Sequence, residues 1–121
     1  MINKFKRYMM NERINLSLEL VIETLVSCGL RRIDAEVYAF LTKNGPHTGK
    51  DIAIKLKLTK QELYHTIKIL KEKELVKSTS KRPASFSAEP IEKVLTRFIE
   101  SGKKEIQNLK QKKQNFLRKK T

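Results

Sequence analysis

The chain has 121 residues, 39% of them hydrophobic, with 27 Lys and Arg against 13 Asp and Glu for a formal charge of +14. That length supplies one modest core and excludes a second catalytic domain, while the charge points to a polyanionic partner, nucleic acid before an anionic membrane. A single cysteine, Cys28, excludes an internal disulfide; beside Val26 and Leu30 it reads as a small buried apolar residue in a reducing compartment, the cytoplasm.

Residues 1–16 carry basic side chains without the apolar run of a secretion signal, and are read as a separate basic segment. The longest apolar stretch, LSLELVIETLV, is broken by Glu19 and Glu23 and is too short to span a bilayer, so a soluble protein is expected. Leu18, Val21, Ile22 and Leu25 recur at helical spacing, with Ser17 as the expected N-cap and Gly29 beyond the last turn. A second helix places Ile33, Val37, Phe40 and Leu41 on one face, has Asp34 and Glu36 in its first turn, and stops at Gly45-Pro46.

Thr48, three residues before Asp51, opens a short third helix with Ile52 and Leu56 on its apolar face. After a turn of about three residues, Thr59-Lys-Gln-Glu62 matches the S/T-x-x-E capping box and starts a fourth helix. On it Leu63, Ile67 and Leu70 form an inner stripe, whereas Gln61, His65, Lys68 and Glu72 share the opposite one. Residues 75–79 and 84–88 read as two short strands, with Phe86 pointing inward and Ser80, Lys81, Arg82 and Pro83 as the turn. Beyond Pro90, Ile91, Leu95, Phe98, Gly102, Ile106, Leu109, Lys113 and Phe116 step by three and four along one long helix, the seam of a coiled coil, with Gly102 a gap in it and Lys113 weakening its far end.

The predicted fold is therefore mainly α with a small β-hairpin wing: a basic segment at 1–16, a winged helix-turn-helix at 17–89, and a dimerisation helix with a basic tail at 90–121. A major-groove reader needs a rod of helical width whose exposed side chains both donate and accept, and Gln61, His65 and Lys68 meet that need. Lys60 and Tyr64 flank them; for Tyr64 packing competes with stacking or phosphate contact. Thr48 and Lys50 at a helix start, and Ser80, Lys81 and Arg82 at the hairpin tip, are candidates for backbone phosphate. Ile91, Leu95, Phe98, Gly102, Ile106, Leu109 and Phe116 are candidates for dimerisation. His47, His65 and Cys28 lack metal-ligand spacing, and no Ser-His-Asp set, carboxylate pair or phosphate loop assembles, so neither an enzyme nor a cofactor is expected.

The runs GLRRIDAEVYAFLTKNGPHTGKDIA, ELYHTIKILKEKELV and KRPASFSAEPIEKVL resemble the winged-helix domain of the TrmB-type archaeal transcriptional regulators, from roughly Leu25 to Ile106. The resemblance implies promoter binding as a homodimer through the capped helix and the wing. Sugar-responsive members carry a large C-terminal effector domain; the chain ends about where one would begin, so sugar binding is not expected. Glu74 and Lys81 stand where members usually have glycine, leaving the turn conformation open at both places, and His65 replaces a common arginine. The readings that compete with a sequence-specific regulator are a low-specificity architectural DNA-binding protein and, from another class, a winged-helix protein-interaction module.

Overall fold

The computed structural model describes residues 17–119. The basic segment expected at 1–16 lies outside the described residues. The chain divides into two compact units, one reaching to Pro90 and the other starting at Ile91, each described by itself.

In the first unit α1 (residues 17–27) is followed by α2 (Arg32–Asn44), β1 (His47–Thr48), α3 (Gly49–Leu56), α4 (Lys60–Glu72), β2 (Val76–Ser78) and β3 (Ser85–Ala88). Ser17 is already helical, so it is not the N-cap of α1. The far end of α1 is a Schellman motif: the Gly29 amide donates to the Val26 carbonyl at 3.0 Å and the Leu30 amide to the Leu25 carbonyl at 3.1 Å. Gly29 takes φ +103°, which lets the chain reverse and carries Leu30 into the core, where Leu25 is also buried. Cys28 is left exposed on the outside of that reversal, contrary to its expected burial.

The central helix is α2. The apolar stripe seen in the sequence underestimates what it buries: Ala35, Tyr38 and Ala39 are inside together with Val37 and Leu41, whereas Ile33 and Phe40 are half-buried. The reason is that α2 packs on α4 along one side and on β3 along another, so a wider arc than one stripe is covered. Tyr38 is fully buried, and its hydroxyl donates to the Glu89 carbonyl at the end of the sheet. A buried phenol needs such an acceptor; burial also pushes its pKa up, which keeps the proton in place.

The expected two-stranded hairpin is part of a three-stranded antiparallel sheet in the order β1-β3-β2. Strand β1 pairs His47 with Phe86 and Thr48 with Ser85, and β2 pairs Val76 with Ala88 and Ser78 with Phe86. A two-residue strand has no periodicity to detect, and Thr48 already reads as a helix cap, so β1 has no signature of its own. Both hairpin strands are shorter than expected. Thr79 continues the pairing by other means: its amide donates to the Ser85 carbonyl at 2.9 Å and its Oγ1 accepts from the Ser85 amide at 3.0 Å. Between the strands the Arg82-Pro83 peptide is cis.

The second unit contains α5 (Ile91–Lys119), a single helix of 29 residues that runs through Gly102 without interruption. At 1.5 Å per residue it is about 44 Å long. Along its apolar stripe Ile106, Leu109 and Phe116 are 57–67% exposed.

Candidate nucleic-acid interface

The outer face of α4 starts from its cap. Thr59 Oγ1 accepts from the Glu62 amide at 3.1 Å and Glu62 Oε1 accepts from the Thr59 amide at 2.9 Å, the reciprocal box anticipated from the sequence. The Thr59 amide, and after it the Thr59 hydroxyl, favour the ionised carboxylate and hold the Glu62 pKa below its ordinary value. With its start fixed, α4 turns Ile67, Leu70 and Thr66 inward, all of them buried. Lys60, Gln61, Tyr64, His65 and Lys68 are exposed. Tyr64 is 73% exposed, so it is not a packing residue; it borders a shallow groove with Ile67, Lys68 and Lys71.

The turn into α4 uses Lys57 in the left-handed region at φ 55°, with the Leu58 amide donating to the Ala53 carbonyl at 2.9 Å. Its counterpart at the other end is Glu74 at φ 62°. There the Glu74 amide donates to the Lys71 carbonyl at 3.0 Å and the Leu75 amide to the Leu70 carbonyl at 2.8 Å, a second Schellman motif in which glutamate occupies the usual glycine position. The turn conformation is thus the one glycine prefers, adopted without glycine. Lys81, the other departure, is not in the left-handed region.

Of the remaining candidates, Thr48 caps α3 by accepting from the Asp51 amide at 3.2 Å, and Lys50 is exposed in the first turn of that helix. Ser80, Lys81 and Arg82 are exposed at the wing tip. The base of the wing is tied by the Glu89 amide donating to the Leu75 carbonyl at 2.8 Å and by Lys77 Nζ lying 3.2 Å from the buried Glu89 carboxylate.

Three supporting residues escaped the sequence reading. Arg31, just before α2, grips the buried Asp34 with Nε at 3.0 Å and Nη2 at 2.7 Å, and Nη2 also reaches Thr66 Oγ1 on α4 at 3.3 Å. A hydroxyl inside the Leu63–Leu70 apolar stripe was the available signal for Thr66. Gly49, the third, opens α3 where a Cβ would stand 3.2 Å from Leu63 Cδ2 and 3.7 Å from a Phe86 ring carbon. Its missing side chain allows α3, α4 and the sheet to approach one another. Among the described residues no group of three or more metal-ligating side chains occurs, and no helix is long and apolar enough to cross a membrane.

This arrangement is a winged helix. Residues 25–92, more than half of the chain, match the family model described as sugar-specific transcriptional regulator TrmB. The chain belongs to the TrmB family. TrmBL2, an archaeal chromatin protein whose structure shows a novel mode of DNA binding, superposes with a TM-score of 0.76 at 17% identity over 85% of this chain. The chain spans only 40% of TrmBL2's length. The ST1889 protein of Sulfolobus tokodaii gives a TM-score of 0.62 at 24% identity, covering 76% of this chain and 97% of its own. A point mutant of MepR from S. aureus, bound to an oligodeoxyribonucleotide, gives 0.51 at 15% identity over 98% of this chain and 95% of its own. At these identities the three establish the winged-helix fold that the TrmB domain adopts here. None of the curated proteins matches the sequence.

Proposed function

We propose that the protein is a homodimeric, sequence-specific regulator of transcription that binds duplex DNA in the cytoplasm. Helix α4 enters the major groove, Gln61, His65 and Lys68 meet base edges, and Lys60 and Tyr64 flank them. Thr48 and Lys50 at the start of α3, and Ser80, Lys81 and Arg82 at the wing tip, contact phosphate and sugar. Helix α5 pairs with its counterpart along Ile91, Leu95, Phe98, Ile106, Leu109 and Phe116, with Gly102 allowing close approach. The reading rests above all on one observation: α4 is anchored by a complete cap and a buried inner face while its whole outer stripe is polar, exposed and able to hydrogen-bond.

Two-fold symmetry implies half-sites about 10 bp apart or a multiple of that. Selection of duplexes from a random library at near-physiological salt, with excess competitor, tests the reading. Enrichment of a pseudo-palindrome is the expected result; failure to retain any duplex rejects DNA binding. Recovery without a motif favours the architectural reading, to which the +14 charge and the likeness to an archaeal chromatin protein lend support.

A further inference from the structure

The two halves of α5 differ in charge in a way that neither helix stability nor pairing requires. From Ile91 to Glu105 the helix mixes Glu92, Glu100 and Glu105 with Lys93, Arg97, Lys103 and Lys104, a near-balanced surface. From Ile106 to Lys119 it carries five basic side chains, five amides and no acidic residue. A helix exposed only to water gains from acid-base pairs four residues apart. Here the neighbours at that spacing are Ile106 and Gln114 for Lys110, Asn108 and Phe116 for Lys112, and Leu109 and Leu117 for Lys113. None of these three lysines makes an ion pair with a described residue, and all are exposed. Arg118 and Lys119 complement the negative end of the helix dipole, but that effect fades within the last turn and does not reach Lys110 or Lys112. Lys110 and Lys113, one turn apart, repel each other and weaken the isolated helix.

We infer that the distal half of α5 is a second, sequence-independent contact for the phosphate backbone of duplex DNA. A phosphate backbone supplies the missing negative charge, and Gln107, Gln111 and Gln114 add neutral donors suited to phosphate and sugar oxygens. The inference rests on the reading of the protein as a DNA binder. It adds contacts by Lys110 and Lys112, which at a spacing of two lie on opposite flanks of the helix and so reach different phosphates, and these do not involve α4 or the wing.

The test uses the full chain and a duplex of arbitrary sequence, with affinity followed as a function of KCl. Lys110→Gln combined with Lys112→Gln keeps helix propensity and leaves Lys113, which lies on the apolar seam, untouched. If each lysine neutralises a phosphate, the slope of log affinity against log salt becomes shallower by about 2 for each bound protomer in the double variant, and so by about 4 for a dimer. A slope equal to wild type, with a shallower slope for Lys81→Ala combined with Arg82→Ala, overturns this inference and leaves the proposed function standing. Salt-independent or absent binding by the wild-type chain removes both. Loss of retention on phosphatidylserine vesicles in the α5 variant, with its duplex slope unchanged, overturns the inference in favour of a lipid surface.

Discussion

Arg31 and Thr66 lie 35 residues apart in sequence, yet the Arg31 guanidinium donates to the Thr66 hydroxyl while holding the Asp34 carboxylate in a two-pronged grip. The start of α2 is thereby tied to the inner face of α4, the helix whose outer face carries Gln61, His65 and Lys68. Asp34 is 1% exposed and its partner 47%, so loss of the carboxylate leaves a half-solvated cation rather than a fully buried one. Asp34→Ala should lower stability by about 2 kcal/mol, below the range for fully buried pairs, and Thr66→Val by about 1 kcal/mol or less. Urea unfolding followed by circular dichroism measures both; equal losses would show that the link to α4 matters as much as the ion pair.

Glu74 holds the left-handed position of a Schellman motif at the end of α4. A side chain there costs about 1–2 kcal/mol in backbone strain, and glycine gives part of that back through its freer unfolded state. Glu74→Gly should therefore raise stability by about 0.5–1 kcal/mol. Thermal unfolding is the check, and DNA affinity should stay unchanged because Glu74 is not among the contact residues.

The α4 cap makes stability pH-dependent with a defined sign. The Glu62 pKa in the folded protein is lowered, chiefly by the hydrogen bond from the Thr59 amide and then by the Thr59 hydroxyl. A group whose folded pKa is depressed contributes stability that is present above its unfolded pKa, about 4.3 for glutamate, and lost as pH falls through the folded value. The stability difference between wild type and Glu62→Gln should thus be constant near neutral pH and shrink below about pH 4. Urea midpoints measured across that range would show it.

Base readers and phosphate holders should separate in binding experiments. Lys68→Ala should relax preference at one base position and cost about 1–3 kcal/mol on the preferred duplex. Lys81→Ala should weaken all duplexes alike and reduce the salt slope by about 1 for each bound protomer, about 2 for a dimer. Titrations on specific and scrambled duplexes distinguish the two, and wild-type behaviour of Lys68→Ala on every duplex would remove that residue from the reading set.

Pairing through α5 predicts that Leu109→Glu, a charge placed on an apolar seam position that is 67% exposed in the single chain, shifts the protein toward monomer. Analytical ultracentrifugation at several concentrations measures the change. A wild-type chain that sediments as a monomer throughout would remove α5 as the dimerisation element.

The order of elements was legible wherever the physics is local. Thr48 and Thr59 caps, the three-residue turn before Lys60, the stop at Gly45-Pro46 and the unbroken run of α5 all depend on residues a few positions apart, and each appears where the residues imply. The inner and outer stripes of α4 followed from helical period alone. Features that join distant segments were not legible. His47 and Thr48 become a strand only because Phe86 and Ser85 come alongside, and Arg31 becomes a tether only because α4 brings Thr66 within reach. Cys28 looked buried by its neighbours' composition, but the reversal at Gly29 turns it outward. Tyr38 and the two alanines of α2 are inside because two different elements cover that helix. Sequence by itself determined the helices, the caps at Thr48 and Thr59 and the basic character of the exposed faces, because these arise from interactions within a turn or two of chain. Only the tertiary structure decided which polar side chains are buried, which positive-φ turn glutamate must adopt, and how the wing joins a third strand, because those depend on contacts between parts of the chain that carry no mark of one another.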